Sequence, residues 1–397
     1  MSRTAIVAGA GIAGLAVAIA LSRQGWRVEV WEQAPALTEV GAGLQLSPNA
    51  MRALEFLGLS NAVENNGFEP ENAEIRHFQT GVRHISLPLK ATCRARFGAP
   101  FLQVHRADLL RVLSVAAAAA DVEIRLGTPV TEFSEVVDGV TAIGPDTSQT
   151  VDLLIGADGI RSAIQGQLLM TPAPRFTGQV AWRALIPADR LPTATVRGNA
   201  TVWAGPGHHL VTYLLRDGNL VNVVAIQERD DWRDEAWTSI GNSTELCAAF
   251  SGWHDDVQTI LSAVDESYLW ALFDRPPLPQ WHGDRTVLVG DACHPTLPFM
   301  AQGAAMALED AIVLARCLEG DVITAALKRF QSTRHSRTTR LQARARDNAG
   351  LFHRTQGPAG LISRAKLAAG PLLPGILKWQ SVDWIYGHDP ASVPLAP

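Results

Sequence analysis

Cysteine is scarce: four residues in 397, Cys93, Cys247, Cys293 and Cys317, stand far apart with no CxxC pair. That spacing argues against a disulfide framework and a zinc site, and it suits a reducing cytoplasm; no metal is expected. Lysine is equally sparse, four of the 34 basic residues, which we read as genomic bias. Long apolar runs are missing too. No stretch reaches the roughly 18 uninterrupted apolar residues of a membrane span, so no membrane segment is expected. The run over 5–21 follows Arg3 as a secretory leader would. Gly9, Gly11 and Gly14 break it, however, and a second strand pattern follows at once, which favours strand, turn and helix over a targeting segment. An excess of positive charge is also absent. A net charge of −5 gives no global attraction to nucleic acid or anionic membrane, so any phosphate binding must be local.

What is present describes a globular chain with a large core: 47% apolar and 18% charged residues. Its length exceeds the size at which a single core stops growing, so two closely packed lobes are expected. The opening pattern predicts a strand over 3–8, a glycine turn, a helix over 13–24 ended by Gly25, and a strand over 27–31. That is a βαβ unit. A glycine-rich turn at 41–43, a helix over 49–57 and strand pieces at 75–78 and 84–87 follow. Next come a helix over 106–119, strands over 122–125, 130–137 and 140–143, and a buried strand over 151–155; Asp138-Gly139 marks a hairpin. From 180 to 227 the pattern turns β-rich, with turns at Gly205-Pro206-Gly207 and Asp217-Gly218, and the α/β pattern resumes with a strand over 286–289 and a helix over 303–318. The predicted fold is therefore α/β: a Rossmann-like nucleotide domain (1–75, 100–179, 280–345) interrupted by a β-sheet substrate lobe (76–99, 180–279), with a helical C-terminal region (346–397).

Three strings carry chemistry. Gly9-Ala10-Gly11-Ile12-Ala13-Gly14 is GxGxxG between a strand and a helix, where the glycines permit the turn, the approach of a pyrophosphate and close helix packing. The helix N-terminus then offers N–H donors to the phosphates. Glu32, followed by Gln33, closes the second strand 18 residues after Gly14, in place to accept bonds from a ribose diol. An acid there favours FAD or NAD over NADP at this site. The second string is Leu288-Val289-Gly290-Asp291-Ala292-Cys293-His294-Pro295, followed by Ala301-Gln302-Gly303-Ala304 and Glu309-Asp310. Asp291 can accept bonds from a polyol, which a flavin has and a nicotinamide lacks, while the N–H groups of Gly303 and Ala304 face an anion or a carbonyl oxygen. The plainer reading is an Asp291 that caps a turn. The third, Ile155-Gly156-Ala157-Asp158-Gly159-Ile160-Arg161-Ser162, reads locally as a turn with Ser162 as helix cap.

Together these strings resemble the class A flavoprotein aromatic hydroxylases, the para-hydroxybenzoate hydroxylase group, and look closest to salicylate hydroxylase, 3-hydroxybenzoate 6-hydroxylase and 6-hydroxynicotinate 3-monooxygenase. The resemblance spans nearly the whole chain. It implies that Gly9, Gly11, Ile12, Ala13, Gly14 and Glu32 hold the ADP half of FAD, that Gln33 and Val130 also bind the cofactor, and that Asp158 and Gly159 lie near both FAD and the pyridine nucleotide. It further implies that Gly290 and Asp291 meet the ribityl chain, with Gly43, Arg106, Pro295, Gly303 and Ala304 as further FAD contacts. For Arg106 the local reading is a surface ion pair with Asp108. The implied substrate side includes Gln45, Pro298 and Phe299. One departure stands out: the family's Asp-Gly string usually ends in arginine, and here the residue is Gln165, which leaves NADH and NADPH open as the reductant.

The reaction implied is hydride transfer from NAD(P)H to FAD, addition of O2 to give a C4a-hydroperoxide, and attack on its distal oxygen by an electron-rich ring of a small phenolic or hydroxypyridine carboxylate. The protein must position the ring, exclude water and take the phenolic proton, a task suited to histidine. Alternation along 208–213 puts His209, Val211 and Tyr213 on one strand face and His208, Leu210 and Thr212 on the other. The resembling hydroxybenzoate and hydroxynicotinate enzymes carry a similar His-x-x-x-Tyr strand, which points to His209 as base and Tyr213 as ring contact. A solvated turn histidine is the alternative; His294 is the rival base, but its place beside Asp291 favours a structural role for it. A monomer or homodimer is expected. A flavin dehydrogenase or oxidase, or a flavin-based redox sensor without catalysis, remains open at this point.

Overall fold

A computed structural model describes residues 2–37, 42–171, 173–229, 239–353 and 375–397; Gly41 of the second glycine turn lies outside them. Among the described residues, five strands make a parallel sheet in the order Thr286–Leu288, Leu153–Gly156, Thr4–Ala8, Arg27–Trp31, Glu123–Arg125. Apolar runs such as Ile6, Val7, Leu153, Leu154, Ile155 and Val287 are fully buried, as strands covered on both faces must be. The helix Ile12–Arg23 keeps Leu15, Ala16, Val17, Ala18 and Ile19 wholly inside, and the helix Gly303–Leu318 packs against it. The strand latest in sequence thus completes a sheet that the chain began at its start.

The expected strand over 151–155 is two elements. Ser148–Val151 joins a small antiparallel sheet, and Leu153–Gly156 joins the parallel one. Asp152 makes the break, because its carboxylate accepts both the amide and the hydroxyl of Thr4 at 2.7 and 2.9 Å and so spends its own position on a tie rather than on a ladder.

The second large sheet has eight strands among the described residues, ordered Ser239–Gly241, Ser267–Asp274, Arg175–Pro187, Leu220–Glu228, His208–Leu215, Ala200–Gly205, Asn72–His77, Arg83–Pro88. Its pairings are antiparallel except Ala200–Gly205 with Asn72–His77. One face buries Trp182, Trp203 and Leu210 against Phe250, Trp253 and Val257. The other face carries Ala181, Ala204 and Ile226 and meets Leu297, Phe299 and Phe352. Strand alternation decides which residue serves which layer, so Leu210 goes to the first and His209 to the second. The long helix Ile323–His353 lies over this junction and delivers its last turn to the sheet. The C-terminal helix Gly375–Tyr386 closes a small aromatic cluster of Trp379, Phe97, Phe101 and Tyr386. No helix among the described residues is long and apolar enough to cross a membrane.

Candidate active site

The three strings meet at the carboxyl ends of the parallel strands. Gly9 has φ +100°, and a Cβ there would stand 2.6 Å from the Ala157 carbonyl oxygen. At Gly14 a Cβ would stand 1.9 Å from the Gly9 oxygen, and at Gly290, φ +60°, one would stand 2.8 Å from the Ala13 Cβ. Close packing demands glycine at these positions. Gly11 differs, because a Cβ there would meet nothing within 4 Å. The space beside it is open on the side from which a pyrophosphate approaches a helix N-terminus. Glu32 accepts the Ala10 amide at 2.6 Å and the Ala34 amide at 2.8 Å, which fixes its carboxylate against the glycine loop. Thr128 donates its amide to the Glu32 carbonyl at 2.8 Å, bringing the Val130 segment alongside, and Gln33 is exposed next to it.

In the Gly-Asp string His294 stands near Asp291, as expected, and makes its hydrogen bond to a different carboxylate. Its Nε2 lies 2.6 Å from Asp310, not on Asp291, and Asp310 also accepts the Gly290 amide at 2.9 Å. The reason is the buried ion cluster behind the loop, where Arg334 donates to Asp310 at 2.8 Å and to Glu309 at 2.6 Å. Held there, His294 is a structural tie and not the substrate base. Asp291 is exposed to solvent, although protein packs densely around it. Burial raises its carboxyl above the usual range, and His294 and Arg106 pull it back. Asp108 pairs with Arg216 at 2.8 Å, so the ion pair expected locally between Asp108 and Arg106 gives way to a longer-range one. The backbone of Arg106 is tied to Ala42 at 2.9 Å. The turn before Gly303 and Ala304 is pinned by Gln302, whose amide donates to Ser47 at 2.9 Å, and Gln342 donates to the Pro295 carbonyl at 2.8 Å.

Asp158 and Ser162 do cap the helix Ala163–Leu169: Asp158 accepts the Ala163 amide and Ser162 the Gln165 amide, each at 2.8 Å. Yet the other Asp158 oxygen, Oδ1, is buried without a partner among the described residues, and burial raises this carboxyl. Gln165 is buried as well. Its Oε1 accepts from Arg275 at 2.6 Å, and Arg275 also donates to Thr171 at 2.8 Å. A guanidinium from the end of the strand Ser267–Asp274 therefore stands beside the string that lacks its own terminal arginine.

On the opposite side of the cleft, His209 is 1% exposed. Its ring centroid lies 5.1 Å from Phe299, 5.2 Å from Phe352 and 4.8 Å from His353, so the solvated-turn alternative is overturned. Burial, with His353 and His208 nearby, holds its pKa well below 6.5 and keeps the imidazole neutral. Tyr213 shares this face. A Cβ on Gly43 would stand 2.7 Å from its hydroxyl, and the Gly43 amide donates to Asn222 at 2.7 Å, so the strand Gly43–Leu46 lies directly against Tyr213. Burial pushes the Tyr213 phenol upward and keeps it protonated. Gln45 is half-buried on the same short strand, and Pro298 is exposed beside Phe299. His208 faces the other layer, 5.3 Å from Phe250. A separate surface cavity of about 590 Å³, lined by Arg23, Leu59, Ala62, Arg111 and Val115, sits at the far end of the helix Ile12–Arg23 from the glycine turn and shares no residue with this cleft.

Residues 2–345 match the family described as FAD binding domain. The chain belongs to that family. It is 36% identical over 390 residues to a 3-amino-4-hydroxybenzoate 2-monooxygenase, PtnB3, of Streptomyces platensis, covering 98% of this chain and 96% of that one. It is 34% identical over 393 residues to a 3-hydroxybenzoate 6-hydroxylase of Aquipseudomonas alcaligenes, covering 98% of both. Among solved structures, Klebsiella pneumoniae HpxO complexed with FAD and uric acid superposes with a TM-score of 0.86 at 28% identity, covering 97% of this chain and 96% of that one. This member of the FAD-binding family is an FAD-dependent aromatic monooxygenase.

The site fits the family's cofactor on grounds of its own: an open face at Gly11, an exposed Asp291 beside it in the Gly-Asp string, and buried polar atoms without partners among the described residues. Sequence reasoning missed the clearest of these. Gln103, on the strand Leu102–His105 opposite Gln45, is wholly buried, and neither its amide oxygen nor its nitrogen has a partner among the described residues. A glutamine within the buried run Leu102-Gln103-Val104, just ahead of Arg106, was the available signal. An unsatisfied buried amide costs about 1–3 kcal/mol, and a bound polar ligand recovers it. Gln103→Leu is therefore expected to raise the stability of the flavin-free protein and to lower its affinity for FAD. Urea unfolding of the apoprotein and FAD titration measure the two; loss of both together would mark Gln103 as a packing residue only.

Proposed function

We propose that this monooxygenase hydroxylates a small phenolic or hydroxypyridine carboxylate with NADH or NADPH and O2, and that His209 takes the substrate's phenolic proton. The observation that carries the reading is a neutral, fully buried histidine on the sheet face that also presents Tyr213 and faces Phe299. When bound, FAD supplies hydride acceptance and oxygen activation. Gly9, Gly11, Ile12, Ala13, Gly14, Glu32, Gln33 and Val130 would hold its ADP half. Gly43, Gln103, Arg106, Gly290, Asp291, Pro295, Gly303 and Ala304 would hold the remainder, with Asp158 and Gly159 between flavin and reductant. The neutral His209 accepts the proton, Tyr213 orients the ring from the same face, and Gln45, Pro298 and Phe299 line the remaining wall. Phe299 and Phe352 exclude water, which preserves the reactive species for the ring.

Arg183 lies two residues beyond Ala181 on this face, opposite Val224, with its guanidinium 4.3 Å from the Trp270 ring centroid. The positive charge complements an aromatic carboxylate, the class to which the substrates named for the two relatives belong. The test is a panel of salicylate, 3-hydroxybenzoate, 3-amino-4-hydroxybenzoate and 6-hydroxynicotinate, scored for stimulated NADH or NADPH oxidation and for oxygenated product. At least one carboxylate should stimulate both. Flavin reduction that ignores every member, or that yields only peroxide, would favour an oxidase or a redox sensor instead.

A further inference from the structure

A proton placed on His209 needs somewhere to go. The ring is enclosed by Phe299 and Phe352, and an imidazolium buried among apolar groups is disfavoured. Its Nε2 makes no hydrogen bond to the described residues and is the nitrogen left for substrate. Its Nδ1 lies 2.5 Å from Nε2 of His353, and Nδ1 of His353 lies 2.9 Å from the Glu228 carboxylate. The side chain of His353 is 1% exposed and that of Glu228 is 54% exposed, so the series runs from the cleft to water in three residues. Those residues come from three elements, the strand His208–Leu215, the last turn of the helix Ile323–His353 and the end of the strand Leu220–Glu228. Backbone bonds fix the geometry: Gly207 donates its amide to the His353 carbonyl at 3.2 Å, and Glu228 donates its own to Gly207 at 2.9 Å.

The acceptors also set a direction. The Glu228 carboxylate can only accept, so Nδ1 of His353 carries hydrogen, its Nε2 accepts, and Nδ1 of His209 carries hydrogen. The Gln179 amide, 3.4 Å from the same His353 nitrogen, is a longer and weaker neighbour.

We propose that His209, His353 and Glu228 form a proton relay joining the substrate cleft to solvent. The proposal rests on His209 being the base. In the forward sense the substrate O–H breaks as N–H forms at His209 Nε2, and His209 Nδ1–H breaks as N–H forms at His353 Nε2. His353 Nδ1–H then breaks as O–H forms on Glu228, which releases the proton to water. When the product oxygen takes a proton from His209 Nε2, each transfer reverses and the resting tautomers return. Glu228 and His353 touch no reacting atom; they position and discharge the residue that does.

Two measurements on the FAD-loaded protein test this. In histidine-15N-labelled protein without substrate, His353 is expected as the Nδ1–H tautomer; an Nε2–H tautomer overturns the relay. With 3-hydroxybenzoate as probe, stopped-flow mixing with an indicator dye reads proton release and product analysis reads coupling. Glu228→Gln and His353→Gln are expected to slow release by about tenfold or more, below the full loss expected for a missing base. Glu228→Asp should restore the rate, as should added imidazole buffer acting as a mobile carrier. A merely structural role would leave the rate indifferent to buffer. Wild-type release and coupling in both variants, beside an impaired His209→Ala, overturns the relay alone. An unimpaired His209→Ala overturns the base reading and the relay with it, whatever the tautomer of His353; if 3-hydroxybenzoate draws no response, the same release measurement is made with whichever panel compound does.

Discussion

His209→Ala in the FAD-loaded protein is expected to slow hydroxylation by about two to four orders of magnitude, the range for a lost general base. FAD binding should survive, because the residue belongs to the large sheet and to none of the glycine strings. Reduction by NAD(P)H and reaction with O2 should also survive, so the missing oxygen transfer should reappear as hydrogen peroxide. The pH dependence separates the readings further. Burial holds His209 well below 6.5, so the wild-type activity falls only on the acidic side of that value. The variant depends on the phenol's own ionisation and should recover as pH rises. His208→Ala should leave coupling unchanged, since that ring packs at 5.3 Å on Phe250 in the other layer. Equal coupling in the two alanine variants would remove His209 from the chemistry and leave Tyr213 as the next candidate.

Arg334→Leu is expected to be the most damaging substitution for stability. The Arg334 side chain is 1% exposed and lies 2.6 Å from Glu309 and 2.8 Å from Asp310, both of them fully buried. Removing one partner of a buried pair leaves an uncompensated charge and costs about 3–5 kcal/mol. That is a large part of a typical total of about 5–15 kcal/mol. Flavin retention should fall as well, because Asp310 is the group that holds the Gly290 amide and His294. The sign with pH follows from the carboxylates. Burial alone would raise Glu309, but Arg337 and Arg334 outweigh it and hold it well below 4.5; Asp310 is lowered likewise, by His294 and Arg334 against burial. Their contribution is present above the unfolded carboxylate range and is lost as pH falls through the folded values. Without Arg334 those values rise, so the acid-unfolding midpoint should move to higher pH. Urea titrations across acidic pH measure this; a loss under about 1 kcal/mol at neutral pH would show the pair to be replaceable.

Local pattern made much of this protein legible. The strand-glycine-helix opening, Glu32 at the end of the second strand and the break into a β-rich lobe all rest on periodicity and turn chemistry within short windows. Alternation was enough to place His209 and Tyr213 on one face. What escaped was pairing across long separations. Nothing near Gln165 announces Arg275, 110 positions away, and nothing near His209 announces His353, 144 positions away. The structural role of His294 was legible from its place beside Asp291, but its partner Asp310, held in a buried cluster contributed by two helices, was not. Asp152 looked like part of a strand because its tie to Thr4 depends on the sheet already being formed.

The oxygen transfer itself is tested most directly by turnover under isotopically heavy O2, using whichever panel compound stimulates NAD(P)H consumption. The expected result is a ring hydroxyl carrying heavy oxygen, formed in step with the NAD(P)H consumed by protein containing bound FAD. A hydroxylated product with light oxygen, or peroxide without any hydroxylated ring across the panel, would contradict it.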